Sequence, residues 1–322
     1  MNISVKAIYD SLTSKGIDVE KVGLPQADTL LLFDYLGAKR AVQGTIPDLT
    51  SSTGRDIAHN KDVAAKLAEL LAIASPVTVL SSSFSQAVAF LEQYKQIVVK
   101  PSDGAHGYGI STNITSSDLL KKAIVHARRM SPTVILQQQV TGSDVRVLVI
   151  GGKLAAIAQR VPATVTGDGR HTVKQLINIE NTTNPDRGIY YQKPLNYIDK
   201  EAARMHLRNN IRRTPEQREI VQVVGTANLG TGGSSLNRTT DRAIPNEMIR
   251  QAVSFAKNAA IFTCAVDFMF DETTGRWYFI EVNANPGFVI HWYPTNGEGV
   301  DITEIFVSRL LLAYEQSTPW NQ

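Results

Sequence analysis

Asp267, Glu281 and Asn283 lie in the stretch AVDFMFDETTGRWYFIEVNANP, residues 265–286, where apolar and polar side chains alternate on both sides of Gly275. Period-two alternation interrupted by a glycine predicts a β-hairpin. Pairing Asp271 with Trp277 around the loop 272–276 sets Asp267 opposite Glu281 and Ala265 opposite Asn283. The same register gathers Val266, Phe268, Phe270, Tyr278, Ile280 and Val282 on the other face, and a one-residue slip would mix acids into that set. Two carboxylates about 4 Å apart repel by roughly 4 kcal/mol at an effective dielectric near 20, which a cleft relieves with a proton or a cation. Carboxylate and amide oxygens are the donors Mg²⁺ accepts, with water and nucleotide phosphates completing its octahedron. On an open surface the same residues would be a solvated face.

A second group is IVVKPSDGAHGYGIS, residues 97–111, in which an apolar strand delivers Lys100, Ser102 and then Gly104, Gly107 and Gly109. Glycines let backbone N–H groups turn toward an anion, and a lysine at the root of the loop adds a point charge for phosphate oxygens. The spacing is neither a Walker A loop nor the GxGxxG dinucleotide fingerprint. A third is VILQQQVTGSDVRV, residues 134–147, where a strand runs into exposed backbone suited to an adenine edge and Asp144 could accept from a ribose hydroxyl. Each of these, met alone, is also an ordinary turn or surface loop.

The elements that must position these residues are legible from periodicity and caps. Helices are expected over 61–73 and 85–94, and a third headed by a Thr115–Asp118 capping box carries Leu120, Ile124 and Ala127 inward. Residues 145–150 and 153–161 flank Gly151-Gly152 as a hairpin, and Thr172 with Gln175 caps a further helix. Pro245 opens a helix through Ile249, Val253, Ala256 and Ala260, and Asp301 with Glu304 caps the last. Arg204, Arg208 and Arg212 recur at helical spacing, beside Arg213, as a solvated charged face or a patch for an acidic substrate or peptide tail. The polar run IPDLTSSTGRD, residues 46–56, marks a boundary after a short N-terminal region. Mixed helices and antiparallel hairpins predict α+β lobes.

Composition narrows the class. At 322 residues with 43% hydrophobic content the chain can bury a substantial core. Net charge is +3 with acids and bases interleaved, so no basic stripe marks a nucleic-acid or membrane partner. Its one cysteine, Cys264, sits in an apolar run and is expected to be buried. The six histidines show no metal-ligand spacing. Neither a leader nor an apolar run long enough for a membrane is visible, which places the expected location in the cytoplasm.

In chain order these features, with Lys61 before them and Arg146 and Arg160 among them, resemble the ATP-grasp superfamily. The likeness is to the ATP-grasp portions of cyanophycin synthetase and of bifunctional glutathione synthetase. It is carried further by RVPATVTGDGRHTVKQLI, NPDRGIYYQKPL, ANLGTGGSSLNRTTD and EVNANPGFVIHWYPTNGEG, in the same order, over roughly residues 55–315. The resemblance implies an α+β ATP-grasp fold holding ATP between two lobes: a short N-terminal region 1–59, a small lobe 60–136 and a large lobe 137–318. It implies Lys61 and Lys100 on the phosphates under a closing loop 102–110 and Gln137 and Gln138 in the adenine hinge. Asp144 falls on the ribose, and Arg146 and Arg160 near the γ-phosphate or acyl phosphate. Asp267, Glu281 and Asn283 match the Mg²⁺ positions, for two ions, with Mn²⁺ as an alternative.

The activity implied is an ATP-dependent carboxylate–amine ligase acting on amino acids or short peptides as a dimer or tetramer. A protein or peptide tail as acceptor, and a non-catalytic nucleotide-binding protein, are the alternatives. Two departures from the family pattern stand out: Gln137 replaces a common glutamate, and Tyr108 a common lysine. Neither a Mur-ligase-like domain nor a glutamate–cysteine ligase domain accompanies these blocks, so a stand-alone ligase is expected.

Overall fold

A computed structural model of the chain describes residues 2–23, 29–102, 109–189, 193–316 and 320–321. Its contacts define two compact units, the first of Met1–Ile157, Arg238–Phe288 and Asp301–Gln322, the second of Ala158–Asn237 and Val289–Val300.

The first unit begins with α1 (Ile3–Ser14), capped by the Asn2 side chain on Val5 N–H, and an antiparallel sheet in the order β1-β2-β3-β4 (Val19–Val22, Leu30–Tyr35, Ala38–Gln43, Ile46–Pro47). Leu31, Phe33 and Val42 face inward by strict alternation. The polar run expected to be a boundary instead contains β4 and opens α2 (Ser52–His59) under a Ser51 cap. Ser51 N–H donates to Ala260 and Thr50 Oγ1 accepts from Phe262 N–H, so the chain is tied down there rather than linked loosely. Serine and threonine are turn formers, but equally cap formers.

After α3 (Lys61–Leu70) comes a sheet of β5 (Thr78–Leu80), β6 (Ile97–Pro101), β7 (Ser111–Ile114) and β8 (Val134–Gln138) in the order β5-β8-β6-β7. Helices α4 (Phe84–Tyr94) and α5 (Ser117–Arg128) join it in one core with Ile97, Val99, Val134 and Leu136. The α5 cap is Ser116, whose hydroxyl takes Leu119 N–H, rather than Thr115; either hydroxyl suits the role, and the chain turns one residue later. Then β9 (Ser143–Ile150) and β10 (Lys153–Val161) form the expected hairpin, with φ of +56° at Gly151 and +67° at Gly152, as a two-residue primed turn requires.

β10 leads into the second unit, which holds β11 (Thr164–Thr166), α6 (Val173–Thr183), β12 (Arg187–Gly188), β13 (Leu195–Asn196), α7 (Lys200–Leu207), β14 (Ile220–Gln222), β15 (Ser234–Asn237) and, later in sequence, α9 (Val289–Trp292). Thr172 and Gln175 form the expected capping box on α6. Arg204, Arg208 and Arg212 do not share one helix: α7 ends at Leu207, Arg208 has φ +52°, and 208–212 continues as a 3-10 turn. Asn209 and Asn210, which favour turns over helix interiors, account for the break.

Returning to the first unit, α8 (Asn246–Asn258) follows Pro245 as predicted, and β16 (Thr263–Asp271) and β17 (Arg276–Asn283) form the hairpin. β16 lies between β17 and β9, and α10 (Ile302–Glu315) closes the chain under its Asp301 cap. Ala265 opposes Asn283 and Asp267 opposes Glu281, as the pattern predicts, but a bulge follows and Phe268 opposes Phe279. Asp271 therefore meets Arg276, not Trp277. The cause is Asp271 itself: its carboxylate accepts from the amides and hydroxyls of Thr273 and Thr274, which tightens the loop by one residue and holds its pKa down to about 2. The residue freed from the loop is absorbed at Ile280. Phe279, not Tyr278 or Ile280, thus enters the core, stacked on Phe255 with ring centroids 5.0 Å apart. Cys264 is buried with its thiol pKa pushed up by burial, an inert packing residue.

Candidate active site

Alternation along β9 turns Val145 and Val147 into the core and Arg146 to the opposite face, where it pairs with Asp267 on the neighbouring strand. Arg146 Nε donates to Asp267 Oδ1 and Nη2 to Oδ2, both at 2.8 Å, a bidentate fork. The two side chains are 11% and 1% exposed. On its other side Asp267 meets Glu281. The sequence called for a cation to relieve these two acids, and the chain itself brings Arg146 to one of them. Loss of either partner from such a buried pair costs about 3–5 kcal/mol, because the other charge is left uncompensated.

Lys100, near the end of β6, is 5% exposed. Its ammonium donates to Gln137 Oε1 at 3.1 Å, and Gln137 Nε2 donates on to Thr78 Oγ1 at 2.9 Å. β8 lies between β5 and β6, and Gln137 registers with Thr78 on one side and Val98 on the other, which sets up this row. Burial lowers the Lys100 pKa to about 8; Glu281 works against that shift and Lys61 adds to it. A buried lysine, a second lysine and the Glu281 carboxylate of β17 therefore share one electrostatic environment within the first unit.

Residues 64–187 match the family model of the prokaryotic glutathione synthetase ATP-grasp domain. The bifunctional glutathione synthetase structure from Pasteurella multocida superimposes with a TM-score of 0.67 at 26% identity, over 98% of this chain and 44% of that one. The chain has the ATP-grasp fold. Among curated relatives, cyanophycin synthetase of Nostoc sp. strain PCC 7120 is 32% identical over 298 residues, 87% of this chain and 32% of the relative. The bifunctional glutathione biosynthesis protein GshAB of Listeria innocua is 31% identical over 315 residues, 92% of this chain and 40% of the relative. The chain thus spans roughly a third of the length of the first of these relatives and two fifths of the second.

The remaining residues expected of an ATP-grasp site are placed as follows. Lys61 is the first residue of α3 and half-buried. Ser102 lies just past β6, its N–H on Thr133 O and its hydroxyl 3.2 Å from that of Ser131. Gly109 has φ +77°, and a Cβ there would come within 3.0 Å of Met130. Gly104, Gly107 and Tyr108 fall outside the described residues. Gln138 ends β8, and Asp144 on β9 opposes Met269. Arg160 belongs to the second unit, where it opposes Ser235 of β15. No helix among the described residues is long and apolar enough to cross a membrane.

The donor set fits Mg²⁺ by its chemistry. Asp267 and Glu281 supply carboxylate oxygens on facing strands, and Asn283 supplies an amide oxygen that accepts from Asn285 N–H at 2.8 Å, all hard oxygen donors of the kind Mg²⁺ takes. Sequence reasoning missed three contributors: Thr78 behind Gln137, and Thr45 and Asn285 behind Asn283. Thr45 lies in a Gly-Thr turn far from the hairpin in sequence, and no local signal links them; Asn283, whose side chain accepts from Asn285 N–H two residues on, carried the signature of an Asx turn that brings Asn285 in.

Proposed function

We propose that this chain is an ATP-dependent carboxylate–amine ligase that joins amino acids or short peptides and releases ADP and phosphate. The supporting observation is the cluster of the first unit, where buried Lys100 feels both Lys61 and Glu281, and Glu281 faces the Asp267–Arg146 pair. Over most of its length the chain is similar to a cyanophycin synthetase and to a bifunctional glutathione biosynthesis protein, which supports the same reading.

A carboxylate is a poor electrophile until an oxygen leaving group is installed. One carboxylate oxygen of the acyl donor attacks the γ-phosphorus of ATP, the bond to the β,γ-bridging oxygen breaks, and ADP departs. The amine nitrogen then attacks the acyl carbon, the carbon–oxygen bond to phosphate breaks, and the amide forms with loss of a proton from nitrogen. Lys100 and Lys61 offset charge on the phosphates, and the N–H groups Arg146 does not use on Asp267 are available to the transferring phosphoryl group. Asp267, Glu281 and Asn283 would hold Mg²⁺, which when bound neutralises phosphate oxygens. We assign Gln138 and Asp144 to the nucleoside, Arg160 to the tetrahedral oxyanion, and the segment 102–110 to exclusion of water. Gln137 is assigned to Lys100 rather than to adenine, since both ends of its amide are already engaged.

The exposed Arg204, Arg208, Arg212 and Arg213 of the second unit favour, as a second acceptor class, a peptide tail carrying acidic residues.

The test is release of ADP and phosphate from Mg-ATP across a matrix of amino-acid and dipeptide pairs, with mass spectrometry of each active well. Release that needs two substrates, gives a product of their summed mass less water, and is lost in Glu281→Gln is the expected result. Turnover that survives Glu281→Gln unchanged would falsify the assignment.

A further inference from the structure

The hairpin that carries Asp267, Glu281 and Asn283 is held at both ends by the N-terminal segment 4–51. At its start, Ser51 N–H donates to Ala260 O and Phe262 N–H to Thr50 Oγ1 at 3.1 Å. Beyond its end, Phe288 N–H donates to Ser4 Oγ at 3.1 Å. Between these, Thr45 is 2% exposed and reaches the residues just after Asn283. Its N–H donates to Asn285 Oδ1 at 2.8 Å, and its hydroxyl lies 2.9 Å from the same oxygen and 3.1 Å from Pro286 O. Asn285 in turn donates its own N–H to Asn283 Oδ1. The match to the glutathione synthetase ATP-grasp domain model begins at residue 64, so Thr45 precedes that matched span.

We infer that Thr45 is a positioning residue of the cation site: acting through Asn285, it fixes the amide of Asn283. This rests on the ligase assignment above. The chain of contacts runs Thr45 to Asn285 side chain, Asn285 backbone to Asn283 oxygen, and leaves that oxygen one lone pair, aimed by the first. A ligand held by an outer partner loses affinity for its metal when the partner goes, by roughly tenfold or more, even though the ligand remains. The N-terminal segment is thus part of the site's framework.

The test is Mn²⁺ binding to the full chain, followed by electron paramagnetic resonance in the presence of a non-hydrolysable ATP analogue. Thr45→Val keeps shape and backbone N–H but removes the hydroxyl; Asn285→Ala removes the acceptor on an exposed residue; Thr45→Ser restores the hydroxyl. Expected are Mn²⁺ affinities weakened roughly tenfold in Asn285→Ala and by less in Thr45→Val. Thr45→Ser should match wild type, and metal-free nucleotide affinity should be unchanged in all three. A merely structural role would lower the melting temperature and leave Mn²⁺ affinity alone, which overturns the inference. Should Thr45→Val not fold, Asn285→Ala decides it. Wild type that binds Mn²⁺ no better than Glu281→Gln would defeat the ligase assignment, and the role of Thr45 with it. If only Glu281→Gln differs from wild type, the role of Thr45 alone is lost.

Discussion

Gln137 supplies Lys100 with an acceptor but no counter-charge. Burial is then opposed only at longer range, and the ammonium loses its proton near pH 8. In the unfolded chain Lys100 returns to the ordinary lysine value of 10.5, so between these values the unfolded state binds more protons and stability rises with pH. Below about 8 the full cost of burying the ammonium is present. For the reaction the sign reverses, since only the ammonium offsets phosphate charge: kcat/KM for ATP should fall above about pH 8. Gln137→Glu places a carboxylate on that nitrogen, favours the charged form, and should carry the falling limb upward. A limb that does not move would mean another group sets it. At this scale the sequence displayed Asp267 facing Glu281, because period two admits one register with a clean apolar face. It did not display Gln137 on Lys100 or Arg146 on Asp267, because those depend on which strands lie side by side.

Among the elements, the β16–β17 bulge is where pattern and structure part. An unbroken hairpin would bury Ile280 and expose Phe279; the bulged one buries Phe279 and leaves Ile280 half-exposed. Denaturant unfolding separates them. Phe279→Ala should cost about 3–5 kcal/mol as a large core truncation, and Ile280→Ala about 1 kcal/mol or less. The reverse order would restore the unbulged register. Caps and hairpin turns were legible because each is a local bargain between a side chain and the nearest free backbone groups, as Thr172–Gln175 and Gly151-Gly152 show. The Asp271 turn is equally local, but choosing between a loop of four and one of five requires knowing that both threonines bond back to it.

Across the whole molecule, the N-terminal sheet was the least legible part. Its strands are short, and what they pack on comes from the far end of the chain: Tyr314 of α10 lies under Arg40, 4.2 Å from ring centroid to guanidinium, and donates its hydroxyl to Asp48. Because Ser4, Thr45 and Thr50 bond residues flanking β16 and β17, this segment should not melt on its own. In native-state hydrogen exchange the amides of Phe262 and Phe288 should share the protection of β16, and early exchange at both would show the segment opening independently. The pairing of β16 with β9 joins residues 121 apart, Arg146 and Asp267. At ribosomal speeds of about 5–20 residues per second, β9 is made roughly 6–24 seconds before the strand that covers it. During that interval one edge of β9 has no partner while residues 158–237 emerge, with Arg146 still lacking its acid. A nascent chain has to be kept from pairing that edge with a neighbour until Asp267 arrives, so the strand that carries Arg146 stays open to misassembly while the protein is being made.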